Sequence, residues 1–333
     1  MEEITVLDYY IIVIGASAGG LTPLKVILSS LPKNFPAAVF VVKHISPSTK
    51  SLLPEILSKI SKLPVIHPEN NQIIQPGHIY VAPPKLHMNI SKGNIQLKKG
   101  PRVNHSIPAI DPLFYSAALY NKTRTIGILL SGLLDDGSAG MLAIKKCHGI
   151  SIVQDLDEAE YPDMPANSLK AATIDHCLPA SKIGTLLNTL ISPDLIKPHT
   201  LEIPDVTLLE YELSMDFTET NADEKDMTKI ASPSIFSCPE CNGVLWKIND
   251  NSLERYRCRV GHAYGLNTLI SNKEKNTDAA LWAALRALEE KRNLAKNVVE
   301  RAQQDNSGNL QYFQNKSEEL EKHIVAIRNI LNQ

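Results

Sequence analysis

Three residues whose types can run a hydrolysis stand just beyond separate short apolar runs of this 333-residue chain. Ser17 lies in Gly15-Ala16-Ser17-Ala18-Gly19-Gly20, after a run ending at Ile14 and before a helical pattern that opens at Leu21. A glycine-rich phosphate loop is one reading. Its spacing fails, because Gly15, Gly19 and Gly20 do not make G-x-G-x-x-G and the second run leads to His44 where a dinucleotide site wants an acid. The other reading is a nucleophile elbow, in which small neighbours permit a tight strand-to-helix turn that lifts the Ser17 hydroxyl above the sheet. A serine that only caps the helix is the plain alternative, and this motif alone leaves both open.

His44 follows the run Ala37–Val42 by two residues, so it should sit at the carboxyl edge of the second strand, where open α/β sheets carry their sites. After the run Thr125–Leu130 comes a small-residue loop with Asp135-Asp136-Gly137-Ser138. Capping of the Ser138 helix explains one of these carboxylates and leaves the other. A Ser, a His and an Asp at three parallel strand ends supply a nucleophile, a base and the carboxylate that orients the imidazole.

A second cluster has metal-ligand spacing. Cys238-Pro239-Glu240-Cys241 is followed after sixteen residues by Cys258-Arg259-Val260-Gly261-His262, giving C-x2-C and C-x3-H on two turns, a set suited to tetrahedral Zn²⁺. Two buried thiols and a redox pair is the alternative. With four protein ligands no position stays open, so the expected role is a structural Zn²⁺ independent of catalysis, with no cofactor for catalysis itself. Cys147 and Cys177 are expected to be buried thiols.

The elements that must place these residues read as an α/β fold. Strands are expected at Tyr9–Ile14, Ala37–Val42, Ile79–Ala82, Thr125–Leu130 and Gly149–Val153, with Ile90–Lys98 adding a hairpin strand. Helices are expected at Leu21–Leu31, Lys50–Lys62, Asp111–Tyr120 and Ser138–Lys146, with Asp111-Pro112 as an N-cap followed by proline. Residues 1–192 then form the sheet domain. Residues 193–235, acidic from Glu202 to Asp226 and proline-containing, read as a linker, 236–270 as the zinc module and 274–333 as a helical hairpin turning near residues 304–309. In that hairpin Leu281, Leu285, Leu288, Ala295, Val299 and Ala302 share one stripe, and Leu320, Ile324, Ile327 and Leu331 another. Such stripes indicate packing, within the chain or through homo- or hetero-association.

Composition limits the partners. Hydrophobic residues make up 43% and charged residues 21%, an ordinary globular balance that excludes a wholly disordered chain. Thirty-four basic side chains nearly cancel 36 acidic ones, so no global field draws the protein to nucleic acid or anionic lipid. The apolar runs are too short for membrane insertion, the N-terminus lacks a basic signal region, and five cysteines do not suggest a disulfide framework. A cytoplasmic protein is expected.

The stretch from Ile11 to about Leu190 resembles the catalytic domain of the CheB-type chemotaxis protein-glutamate methylesterases. The resemblance rests on Ile14–Gly20, Val42-Lys43-His44, Ile79–Pro84, Pro108–Phe114, Leu130-Ser131-Gly132, Asp136–Met141, Gln154-Asp155 and Asp163-Met164-Pro165, in family order. It implies a doubly wound parallel sheet, with Ser17 as nucleophile, His44 as base and Asp136 as orienting acid. The implied reaction is hydrolysis of glutamate γ-methyl esters on chemoreceptor-like proteins, with glutamine deamidation also open to the same chemistry. The segment around Leu245-Trp246 and Gly261-His262-Ala263-Tyr264 resembles a C-terminal extension of stand-alone members, so a form without the family's receiver domain is expected. The family's Gly-Met-Gly turn is here Gly132-Leu133-Leu134, and Ala166-Asn167 follow Pro165 where a basic residue is common. Backbone N–H groups near Ala18 and in the 132–134 turn are candidates for an oxyanion site. The rival function is a non-catalytic signalling scaffold whose zinc and helical tail binds partners; the altered turn favours it, and the intact Ser17, His44 and Asp136 favour the enzyme.

Overall fold

Strand β1 (Tyr10–Ala16) is buried on both faces, which is why it reads as a continuous apolar run and not as an alternating one. The computed structural model describes residues 9–44, 51–191, 207–214, 228, 230–250, 253–305 and 310–332. In it β1 pairs in parallel with β2 (Ala37–Lys43) on one side and with β7 (Thr125–Leu129) on the other. With β3 (Val65–Ile66), β4 (Ile79–Val81), β8 (Ile150–Gln154) and β9 (His176–Leu178), the sheet runs β3-β4-β2-β1-β7-β8-β9, all parallel. The strand order reverses at β1 and β7, the switch point where open sheets form their crevice.

Helices cover both faces. Ile12, Ile14, Val39 and Val41 pack with Leu24, Ile27 and Leu28 of α1 (Leu21–Ser29), Leu57 of α2 (Leu53–Ser58) and Ile183 and Leu187 of α6 (Ala180–Leu190). On the other face Ile11, Val13, Phe40 and Val42 meet Leu113, Phe114 and Ala117 of α3 (Ile110–Asn121), Met141 and Ile144 of α4 (Ser138–Lys146) and Met164 of α5 (Asp163–Ala171). The expected doubly wound sheet is present. The hairpin strand expected over Ile90–Lys98 belongs to a hairpin that starts three residues earlier, β5 (His87–Ser91) with β6 (Asn94–Lys98), and Ser116 Oγ of α3 accepts the Ile90 N–H at 2.9 Å.

A second, antiparallel sheet joins β10 (Ala231–Ser237), β11 (Val244–Ile248), β12 (Arg255–Cys258) and β13 (Ala263–Gly265) in chain order. Thr207–Ser214, inside the expected linker, is a helix, α7. The acidic stretch from Glu202 to Asp226 otherwise lies outside the described residues.

The chain divides into two compact units, Met1–Leu269 and Ile270–Gln333. The second is built from the rest of α8 (Leu266–Asp305) and from α9 (Leu310–Leu331). Within it Leu285, Ala295, Leu320 and Ile324 are buried, and Arg292 pairs with Glu321 at 2.7 Å and Arg328 with Glu289 at 2.5 Å. The centre of the expected turn, residues 306–309, lies outside the described residues.

Candidate active site

Parallel register brings the first two candidates together. Ala16 pairs with Lys43 at the ends of β1 and β2, and the His44 N–H donates to Ala16 O at 3.0 Å. Ser17, the next residue of β1's chain, donates its N–H to Ser131 O beyond β7 at 3.0 Å. The turn closes through Gly19, whose φ of 69° lies in the left-handed region that favours glycine. Gly20 is the N-cap of α1 and no side chain caps this helix, so Ser17 is not a capping serine.

The Ser17 hydroxyl instead lies 3.1 Å from His44 Nδ1, and His44 Nε2 lies 2.8 Å from Asp136 Oδ2. Those two contacts require the Nε2–H tautomer, with Nδ1 accepting from the serine. The ring nitrogens are thus used the other way round from the trypsin-type template, where Nε2 faces the serine.

Asp136 is 2% exposed and its two oxygens are fully used. Oδ2 accepts from His44 Nε2 and from the Ile110 N–H at 2.8 Å; Oδ1 accepts from the Gly137 N–H and Asn104 Nδ2, each at 3.0 Å, and from the Asp111 N–H at 3.2 Å. Burial works against its ionisation, but the hydrogen bond and charge of His44 and the donors from Ile110 and Asn104 outweigh it and hold the carboxyl below the ordinary range. Its neighbour Asp111 goes the other way. Burial and the Asp136 charge push that carboxyl well above the ordinary range, while it accepts from Gly140 N–H at 2.7 Å and Asn104 Nδ2 at 2.8 Å. The expected N-cap role of Asp111 is therefore corrected. Helix α3 starts one residue earlier, at Ile110 after Ala109, and the Asp111 side chain ties α3 to α4.

Asn104 was not legible as a functional residue. Its amide bridges Asp111 and Asp136, its Oδ1 accepts the Gly265 N–H at 2.8 Å, and its own N–H donates to Ala263 O at 2.8 Å. The only local signal is an asparagine with φ of 47°, a conformation asparagine tolerates better than most residues. Asp135 makes a parallel link: its carboxylate accepts the Asn267 N–H at 3.0 Å and the Thr268 hydroxyl. The small sheet is thus fastened to the loop that carries Asp136. The metal module therefore touches the sheet domain: segments about 160 residues apart meet at Asn104.

In the altered turn the Gly132 N–H is committed to Tyr161 O at 2.9 Å, which removes it from the oxyanion candidates. What position 132 supplies is space: a Cβ there would meet Met164 Sδ and lie 2.7 Å from Ser17 Cβ. Asn167 Nδ2 donates to Leu134 O at 2.7 Å and holds the rest of the turn.

Cys238, Cys241, Cys258 and His262 converge with all ligand atoms within 4.8 Å. Cys241 and Cys258 sulfurs are 3.7 Å apart, and His262 Nδ1 is 3.5 Å from Cys258 Sγ and 3.7 Å from Cys238 Sγ. Tetrahedral Zn–S bonds of about 2.3 Å imply sulfur separations of roughly 3.8 Å, so the donor set and its spacing fit zinc. His262 Nε2 faces Glu240 Oε2 at 3.3 Å, the kind of outer carboxylate that orients a ligating imidazole. Cys147 is buried as expected, and burial pushes its thiol up to about 11. Cys177 is exposed, contrary to expectation, and lies on the edge strand β9. Among the described residues no helix is long and apolar enough to cross a membrane.

The family model of CheB methylesterase matches residues 12–187. A Leptospira interrogans protein provisionally named protein-glutamate methylesterase/protein-glutamine glutaminase is 36% identical over 181 residues, which are 54% of this chain and 94% of that protein. The Thermotoga maritima protein-glutamate methylesterase/protein-glutamine glutaminase is 34% identical over 185 residues, so this chain spans about half of it, 54%. The crystal structure of the T. maritima CheB methylesterase catalytic domain superposes with a TM-score of 0.54 at 33% identity, covering 56% of this chain and all of that one.

Proposed function

Because this chain belongs to the CheB methylesterase family, we propose that it hydrolyses glutamate γ-methyl esters on a protein, with Ser17 as nucleophile, His44 as general base and Asp136 as orienting acid. The observation that carries this reading is the continuous hydrogen-bonded line from Ser17 Oγ through both His44 nitrogens to Asp136 Oδ2. His44 Nδ1 takes the Ser17 proton as the hydroxyl attacks the ester carbonyl, and Nε2–H stays with Asp136, which stabilises the imidazolium. The proton then passes to the departing methoxide, methanol leaves, and a water deprotonated by the same nitrogen hydrolyses the γ-glutamyl ester on Ser17. The Ala18 and Leu133 N–H groups, without partners among the described residues, are the donors we assign to the oxyanion. A glutamine side chain enters the same sequence with ammonia as leaving group, which is how a glutaminase activity would share the site.

The substrate class is a methyl-esterified protein, with methylated chemoreceptors first among candidates because relatives bear the protein-glutamate methylesterase name. The reaction belongs in the cytoplasm on this reading, in keeping with five unpaired cysteines. No catalytic step needs a metal. Cys238, Cys241, Cys258 and His262 would hold a structural Zn²⁺, which supplies folding free energy to a small sheet with few buried residues of its own. The exposed Trp282, Leu294 and Val298 on α8 make the helical unit the assigned place for association with another chain.

The test is a serine-reactive phosphonate and a γ-methyl glutamate protein substrate. One phosphonate per chain should attach at Ser17, and the native chain should release methanol. Labelling at another residue, or none with no methanol, would leave a non-catalytic scaffold as the better account.

A metal prediction arises from the same contacts. Purified protein should carry close to one zinc per chain, and Cys258→Ser close to none. Because Asn104 and Asp135 join the small sheet to the Asp136 loop, chelation should also lower esterase turnover, roughly 10- to 100-fold for a displacement of about 1 Å. Full turnover in zinc-free protein would show that these contacts do not position the acid.

A further inference from the structure

Between β5 and β12, within the first unit, lies a cavity of about 240 Å³ that neither Ser17 nor His44 lines. Its walls hold an unusual group. Arg257 on β12 is 6% exposed, and its Nη1 is sealed from solvent with no hydrogen-bond partner among the described residues. Asn89 on β5, 8% exposed, has its Oδ1 in the same condition. Buried polar groups are nearly always paired, and a buried guanidinium N–H group without an acceptor is costly to a fold.

The neighbouring charges do not resolve it. Arg255, two residues earlier, is matched in charge: its Nη1 donates to Tyr115 Oη at 2.7 Å and to Glu212 Oε1 at 2.5 Å, and its Nη2 to Asp250 at 3.4 Å, while its Nε is left without a partner among the described residues. The acids that line the cavity are already engaged, Glu212 by Arg255, Asp135 by Thr268 and Asn267, Asp111 by Asn104 and Gly140, and Glu254 by Tyr256 and Lys247. Lys99 and Lys170 add further positive charge on the lining. Three buried polar atoms on the lining side chains remain without a partner among the described residues, Arg257 Nη1, Arg255 Nε and Asn89 Oδ1, and of the two arginines only Arg255 has carboxylate partners there. The other walls include Val103, Ile248 and Leu253.

We infer that this cavity is a binding site for a small organic anion, a carboxylate or phosphate on a compact apolar body. The anion pairs with Arg257, a hydroxyl or amide of the ligand donates to Asn89 Oδ1, and the body fills the apolar walls. Size permits this, since a cavity of about 150 Å³ already accepts a benzene ring in another protein. The site does not depend on Ser17 being a nucleophile. It does lie directly behind the acid of the candidate triad, because Asn104 and Asp111 line the cavity and hold Asp136 as well.

The test uses the zinc-loaded full chain and needs no knowledge of the natural ligand. Arg257→Met keeps the volume and removes the unpaired charge, so it should raise the midpoint of thermal unfolding by several degrees. 4-Hydroxybenzoate or phenyl phosphate should raise the parent's midpoint saturably, bind once per chain by calorimetry, and bind Ser17→Ala equally. Arg257→Met should weaken that binding at least tenfold, and neutral benzyl alcohol should raise neither midpoint. The stronger of the two anions identifies the carboxylate or the phosphate as the head group. A Met variant that is less stable than the parent, or does not fold, would show that Arg257 holds the fold and would end the proposal. Failure of both anions to bind, or equal binding by parent and variant, would end it too.

Discussion

Ser17→Ala and His44→Ala should each lower ester hydrolysis by on the order of 10⁴- to 10⁶-fold, and the double variant should fall no further. Once the hydroxyl is gone His44 has no proton to accept, and once the imidazole is gone the hydroxyl stays a weak nucleophile at neutral pH. Neither change should unfold the chain. Ser17 and His44 are half-buried at the rim of the crevice, and the packing of β1 and β2 is carried by Ile12, Ile14, Val39 and Val41. Steady-state methanol release by the single and double variants, beside circular dichroism, decides the matter. A double variant slowed by the product of the two single factors would mean that the residues act independently and that the relay is not the mechanism.

Asp136→Asn should cost about 10⁴-fold in turnover while the neighbouring Asp135→Asn costs far less. The reason is the number of donors aimed at Asp136. His44 Nε2 and Ile110 N–H point at one oxygen, and Asn104 Nδ2, Asp111 N–H and Gly137 N–H at the other. An amide can accept on one side only, so its NH₂ must face donors whichever way it turns, and the imidazole loses either its tautomer or its anchor. Asp135 meets Asn267 and Thr268 and touches no catalytic candidate. Asn104→Ala should fall between the two, since it removes one donor and leaves four. Comparing turnover of the three variants on one substrate gives the ranking, and a larger loss in Asp135→Asn would move the orienting role to that residue. The acid should not limit activity from the low-pH side. Its carboxyl is held below the ordinary range, so the stability it lends is present above the usual carboxylate pKa near 4 and fades only as pH falls through the lowered value.

The strand ends were legible because a parallel sheet buried on both faces writes its strands as unbroken apolar runs. β1, β2 and β7 begin or end within two residues of expectation, and α4 matches Ser138–Lys146 at both ends. Residues just past such ends gather in space, which is why Ser17, His44 and Asp136 could be picked out together. Other parts had too little text. β3 has two residues and β9 three, and α5 hides behind Pro162 and Pro165 in its opening turn. Asn104 was illegible for a different reason. Its importance comes from partners at Asp111, Asp136 and Gly265, and no local pattern announces a bond to a residue that far along the chain.

The pairing of Ala16 with Lys43 makes the distance between Ser17 and His44 a property of a strand ladder, not of the chain that joins them. Extra residues between α1 and β2, at the exposed Lys33 and Asn34, change only the length of a surface loop. Doubling such a loop costs about 0.6 kcal/mol in closure entropy and leaves the ladder where it is. An insertion of one residue inside Ala37–Lys43 would instead turn every side chain beyond it to the opposite face and carry His44 away from Ser17. The connection from α1 to β2 is therefore a natural port for grafting a tag, a sensor or a whole guest domain, while the strands beside it admit no change of length.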